Sequence, residues 1–356
     1  AAPAARGVAT SRLRGHKKEV LCLATGPLPI LNKKKESMCP PARPLLLSGS
    51  EDSTVRLWDL KTNKPTRCVM GCFGGEAVNS VSFTPGDENI VFAAAGKHVY
   101  SFDLRKDSVV LLKAERKFSF NSDDINQIDV SKRGKFVASC DDSGELKIFE
   151  PCGPEGKLAK TLSDGSKDIC MSVKFRPRST WQVLSGTLGM KDAVSLWDFN
   201  RGRMMANYTN IFETQEDKKQ LVNPPFVNAI SFSRTGNVVA SALGSGLVGL
   251  YNINKKVSLG ALSGHDSSAN QVEFPAFGLP GKLISAGTDK ILNLWSLASI
   301  PDDLAVDSQK DGSCLGKIDL RVALPEKPNW IATTSHGNAT VCVGDCSEVI
   351  QCLQLV

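Results

Sequence analysis

Gly15-His16, followed by Ser48-Gly49-Ser50-Glu51-Asp52-Ser53-Thr54-Val55-Arg56-Leu57-Trp58-Asp59, decides the fold because its frame occurs twice. The second copy is Gly264-His265, followed by Ser285, Asp289 and Trp295. In each copy the Ser stands four residues before the Asp and the Trp six after it. The residue types suit a buried polar chain. Imidazole has one donor and one acceptor, so it bridges a carboxylate to a hydroxyl. An indole N–H can donate to that hydroxyl while its ring fills apolar space. Such groups are buried only when paired. His16, Asp52 and Ser48 would also suit a hydrolase triad, but neither Ser sits in a GxSxG elbow.

This four-residue frame resembles the hydrogen-bond relay of the WD-repeat propeller family, and Trp58-Asp59 supplies the dipeptide that names it. The rest of the chain agrees. One aromatic or its substitute ends the third strand of each unit: Trp58, Phe102, Phe149, Trp197, Tyr251, Trp295 and, in the last unit, Cys352. They recur at intervals of roughly 44 to 57 residues, close to the ~40–45 of a propeller blade. A second anchor marks each first strand. It reads apolar–Asn–x–Val/Ile in Val78-Asn79-Ser80-Val81, Ile125-Asn126-Gln127-Ile128, Val227-Asn228-Ala229-Ile230 and Ala269-Asn270-Gln271-Val272. Looser versions begin at Val20, Cys170 and Pro328. Alternation within the anchors predicts strands, and Gly, Pro and Asp clusters between them predict turns.

The expected fold is all-β, a seven-bladed WD-repeat β-propeller closed by the N-terminal strand. The chain of 356 residues then forms a single domain. Its blades lie near 16–70, 73–117, 118–162, 168–209, 226–262, 265–318 and 326–356, with closing strand 7–13. That strand is expected because the last unit lacks a fourth strand and an open edge invites aggregation. Units one and six carry the full tetrad. Unit four keeps Trp197-Asp198, with Asp192 one place out of register, and units two, three and five are expected to lack the relay. Long loops at 26–44, 210–224 and 299–313 break the period and read as functional or disordered.

Composition narrows the function. No run of 18 or more apolar residues marks a membrane span. Eleven Cys, an odd number without a framework, read as free thiols of a reducing compartment, cytoplasmic or nuclear. Cys68 with Cys72 and Cys342 with Cys346 lack zinc-site spacing, so neither metal nor cofactor is expected. Net charge is +6. Lys17-Lys18 and Lys33-Lys34-Lys35 read as solvated loops rather than a nucleic-acid patch. The first residues lack acids and faintly resemble a targeting peptide, but the closing strand gives them another use. Of four His, two belong to tetrads, and His98 and His336 have no spaced partners. An enzyme is therefore not expected; a monomeric interaction scaffold is.

Several stretches further resemble the family of WD repeat-containing protein 53. They are Asp124-Ile125-Asn126 through Ala138-Ser139-Cys140-Asp141-Asp142-Ser143-Gly144-Glu145-Leu146-Lys147-Ile148, Ile169 through Pro177, Leu221-Val222-Asn223-Pro224, and Glu326-Lys327-Pro328-Asn329-Trp330. The resemblance implies a substrate receptor of a cullin 4 type RING ubiquitin ligase. In such receptors a W-D-x-R box docks on the damaged-DNA-binding adaptor. Phe102-Asp103-Leu104-Arg105 matches with Phe for Trp. Trp58-Asp59-Leu60-Lys61 carries Lys, which lacks the guanidinium fork, and Trp197-Asp198-Phe199-Asn200 places Arg201 one position late. The partner-binding candidates are thus Asp103, Arg105 and Lys61. Trp330 joins them because its counterparts in other units are mostly small or polar. Asn79, Asn126, Asn228, Asn270 and Asn329 form a candidate channel ring, with hydrogen bonding to the preceding connection the plainer reading. The alternative function is a chromatin- or peptide-binding propeller unrelated to ubiquitin.

Overall fold

The computed structural model describes residues 9–26, 44–190, 193–212, 224–277, 281–297, 315–334 and 339–355. Most of the three long loops lies outside them, as do Asp192, His336, Leu221-Val222-Asn223 and Lys33-Lys34-Lys35. Among the described residues every regular element is a strand, and the strands form seven antiparallel meanders.

The innermost strands are Val20–Thr25, Val78–Thr84, Ile125–Val130, Cys170–Phe175, Val227–Phe232, Ala269–Glu273 and Pro328–Thr334. Burial falls outward along each blade. In blade 5 the middle strands Val238–Leu243 and Leu247–Asn252 are buried throughout, whereas the outer Val257–Ser263 is largely exposed. A middle strand covered on both faces must be apolar on both, which erases alternation there.

The described residues form seven apolar clusters, each spanning the gap between two neighbouring blades. The third-strand anchor always faces the preceding blade. Phe102 packs with Cys22 and Leu47 of blade 1, and Trp58 with Leu13, Cys342 and Ile350 of blade 7. In blade 7 the anchor is Leu353, not Cys352. Val341 pairs Leu353 as Leu46 pairs Trp58 and Leu283 pairs Trp295. Side chains alternate faces, so a one-residue slip exchanges neighbours: Leu353 faces blade 6 and Cys352 faces blade 1.

The ring closes as the missing fourth strand requires. Ala9–Arg14 pairs antiparallel with Val349–Gln354, from Ala9 opposite Gln354 to Arg14 opposite Val349. Within the described residues the strand runs to Arg14, one residue beyond the expected end at Leu13. Leu13 is fully buried in the gap between blades 7 and 1.

Blade 2 departs from regularity. Its outer strand is the short Arg116–Phe118, and the chain first detours to blade 1. There Val110 and Leu111 pair in parallel with Cys68 and Val69 of the outer strand Lys64–Val69. Burial of Leu111 in the first inter-blade cluster holds this fifth strand, and the Arg67 guanidinium donates to the carbonyls of Lys106 and Ser108.

Candidate protein-interaction site

The tetrads are assembled by three different elements. His16 precedes the innermost strand, Ser48 lies on the second and Trp58 on the third. The His16 Nδ1–H donates to Asp52 Oδ2 at 3.1 Å, Ser48 Oγ lies 2.7 Å from Nε2, and Trp58 Nε1–H donates to Ser48 Oγ at 2.8 Å. In the second copy the corresponding distances for His265, Asp289, Ser285 and Trp295 are 3.1, 2.7 and 2.8 Å. The preceding glycine has a steric reason. A Cβ at Gly15 would lie 2.9 Å from the Trp58 ring, and at Gly264 2.5 Å from the Trp295 ring.

Burial pushes the Asp52 carboxyl up. Hydrogen bonds from His16, Thr54 and the Lys17 N–H outweigh that and hold it well below the usual carboxylate range. Asp289 is likewise held low against burial, by His265 and the N–H groups of Asp266 and Ile291. Ser48 and Ser285 are fully buried and spend their hydroxyls on His and Trp. A nucleophile so enclosed cannot meet a substrate, so these tetrads are braces.

Other blades keep fragments of the relay. Trp197 Nε1–H donates to Ser185 Oγ at 2.9 Å, and Ser241 lies 3.0 Å from the Tyr251 hydroxyl. Blade 3, expected to lack a relay, has one built on Asn. Ser139 Oγ–H donates to Asn121 Oδ1 at 2.7 Å, and Asn121 Nδ2–H to Asp141 Oδ2 at 3.0 Å. Asn121 stands four residues before its first strand, as His16 and His265 do. That offset was the signal that could have found it.

The Asn ring is a set of clasps between blades. Asn79 Nδ2–H donates to the Ile125 carbonyl at 3.1 Å, and Asn126 to that of Cys170 at 3.0 Å. Asn228 donates to Ala269 at 2.8 Å, Asn270 to Pro328 at 3.0 Å and Asn329 to Val20 at 3.2 Å. Each acceptor is the first residue of the next blade's innermost strand. Every innermost strand carries a register shift at its second position. A bulge leaves that residue unpaired with its own blade and re-aims its side chain. The bonds therefore run forward to the next blade, not back to the preceding connection. Leu21 and Met171 stand where blades 1 and 4 would carry the clasp.

The Asp of the WD position caps the turn after the third strand. Asp59 accepts from the Lys61 N–H at 2.8 Å, Asp103 from the Arg105 N–H at 2.9 Å and Asp198 from the Arg201 N–H at 3.0 Å. Only Asp103 also grips a guanidinium with two close bonds, accepting from Arg105 Nε at 2.9 Å and Nη2 at 2.6 Å. Hydrogen bonding to Arg105 holds the Asp103 carboxyl below its ordinary range. Arg105 stays exposed on the rim of a cleft of about 370 Å³ between blades 2 and 3, also lined by Phe92, Glu115, Arg116 and Pro151. Lys61 is exposed, and Arg201 reaches Asp198 only at 3.9 Å. Trp330 packs, half-buried, against the clusters flanking blade 1. The candidates are thus dispersed: Asp103 and Arg105 share one turn, Lys61 lies on the corresponding turn of blade 1, and Trp330 lies on an innermost strand. Trp181, an exposed tryptophan, stands in neither anchor pattern of the repeats and so carries no sequence signal. Among the described residues no cluster of His, Cys, Asp and Glu is placed to hold a metal.

Comparison with known proteins meets this geometry. The model of the WD domain, G-beta repeat, matches residues 7–59 and 113–150, covering the first tetrad and the Asn-based relay of blade 3. The chain is a seven-bladed β-propeller that carries WD40 repeats at these residues. The chain is 28% identical to the WD repeat-containing protein 53 homolog of Dictyostelium discoideum, over 97% of this chain and 94% of that protein. It is 21% identical to histone acetyltransferase type B subunit 2 of Candida glabrata, over 77% of this chain and 64% of that one. Mitotic checkpoint protein BUB3.1 of Arabidopsis thaliana is 26% identical, over 55% of this chain and 56% of its own.

Proposed function

We propose that the protein is a non-catalytic interaction scaffold that serves as a substrate receptor of a cullin 4 type RING ubiquitin ligase. The observation that carries the reading is the Asp103–Arg105 clamp. Its two close bonds fix an exposed guanidinium beside a cleft, so the fork is pre-organised for an interface. Phe102 roots the turn in the core between blades 1 and 2. The adaptor would dock here, leaving the relay face and channel mouth for a client.

The test is recovery of the damaged-DNA-binding adaptor from cell extract by wild type and by Arg105→Glu, with both proteins checked by thermal melt. Recovery by wild type alone, at equal stability, is the expected result. Equal recovery by both would remove this turn as the dock, and recovery by neither would remove the ligase reading.

A chromatin- or peptide-binding role unrelated to ubiquitin is the second reading. It is favoured by exposed carboxylates on the relay-face turns, among them Asp124, Asp142, Asp266 and Glu326. These suit a basic peptide.

A further inference from the structure

We propose that the turn face of blades 3 to 5 docks an acidic segment of a partner protein that carries an aromatic side chain. In an antiparallel meander the first-to-second and third-to-outer connections share one face, opposite the relays. On that face Arg133 of blade 3, Arg178 and Arg203 of blade 4, and Arg234 and Lys255 of blade 5 are all exposed. Among the described residues none of the five has a carboxylate in ion-pair reach, whereas Lys135 meets Glu150 and Arg201 meets Asp198. Glu155 is the remaining carboxylate on these turns.

The turns form one packed surface. Arg176 Nε–H donates to the Gly236 carbonyl at 2.8 Å, and its Nη2 donates to Asn254 Oδ1. These bonds tie Arg178, Arg234 and Lys255, each close in sequence to a bonded residue, into one neighbourhood. Lys256 Nζ–H donates to the Met205 carbonyl at 3.3 Å, joining blades 5 and 4. Trp181 lies in the same region, its ring 5.9 Å from Phe136 of blade 3 and 5.6 Å from Phe199 of blade 4. It is 39% exposed and is the one exposed aromatic among the described residues.

The chemistry selects the partner. Guanidinium forks match carboxylates in paired geometry. A tryptophan fixed between two rings loses little freedom on contact and makes a typical binding anchor. Exposed Asp124, Asp142, Asp164 and Asp266 on the opposite face repel an acidic segment there, so its approach is directed to this side. A nucleic-acid strand stacks successive bases on successive aromatics; this face offers Trp181 alone, which favours a polypeptide.

Fluorescence anisotropy tests the proposal with a labelled Glu-rich synthetic peptide bearing one central Phe. Its Phe→Ala version and a single-stranded oligonucleotide of equal charge complete the probes. Wild type should bind the Phe peptide, more weakly as salt rises. Arg178→Glu with Arg234→Glu should weaken binding at least about tenfold, and Trp181→Ala should weaken the Phe peptide but not the Ala version. Lys17→Glu, on the relay face, should change nothing. Arg203→Glu replaces the double variant if the latter melts early. Absence of wild-type binding, indifference to the arginine substitutions, or tighter binding of the oligonucleotide would each overturn it.

Discussion

At the residue scale the tetrads and the Asn clasps do related work with different reach. A tetrad braces one blade; a clasp binds one blade to the next. Asp289→Ala strips the buried His265 Nδ1 of its acceptor, a loss of about 1–3 kcal/mol. A lower melting temperature is expected, and one equal to wild type would remove the relay as a source of stability. Asn329→Ala frees the Val20 carbonyl and should cost about 1 kcal/mol, read by urea unfolding at unchanged m-value. It is the informative clasp to test, because it lies at the closure between blades 7 and 1.

At the element scale the closing strand matters most. Ala9–Arg14 supplies the outer strand of blade 7 and buries Leu13 beside Trp58 and Ile350. Without it, Val349–Gln354 becomes an open edge next to an uncovered apolar cluster, the condition that favours edge-to-edge pairing. Deleting residues 1–14 should lower the melting temperature and produce species whose size on gel filtration grows with concentration. A deletion that stays monomeric at the wild-type melting temperature would show that the strand is dispensable. The detour of Val110 and Leu111 onto blade 1 is the same physics answered locally. Blade 1's outer edge gains a paired neighbour at the cost of exposing Val109 and Leu112.

For the whole molecule the distribution of the core sets the behaviour. Seven inter-blade clusters replace one central core, so each gap carries part of the ring's stability. One gap contains a titrating group. The Glu273 carboxyl, half-buried where the innermost strands of blades 6 and 7 meet, accepts from Thr333 Oγ1–H at 2.7 Å and from its N–H at 3.2 Å. Burial pushes it up to about 7, against the lowering effect of these bonds and of Lys174. Lys174 itself is paired with Asp129 at 3.5 Å. A raised carboxyl favours the folded state while it stays neutral. Its contribution is full below the unfolded value of 4.5 and is lost as pH rises through about 7. The melting temperature should therefore fall between these values, and Glu273→Gln should flatten that slope. A slope unchanged by the substitution would assign it to other groups. Asp52 and Asp289 act in the opposite sense, their contribution lost only as pH falls below the ordinary carboxylate range.

The sequence by itself determined the fold class, the blade count, both tetrads and the need for a closing strand. These depend on local spacing: every blade but the seventh is a contiguous repeat, and the Ser, Asp and Trp of a tetrad follow a Gly-His at fixed offsets from one another. Tertiary structure decided what depends on neighbours. The anchor is Leu353 because only pairing with Val341 shows which face it takes. The five Asn side chains clasp the next blade because a bulge turns them outward from their own sheet, and no spacing within one blade reports that. Asn121 could complete a relay only once folding brought Ser139 and Asp141 to it. The cationic face around Trp181 likewise exists only because closure of the ring sets turns from three blades side by side.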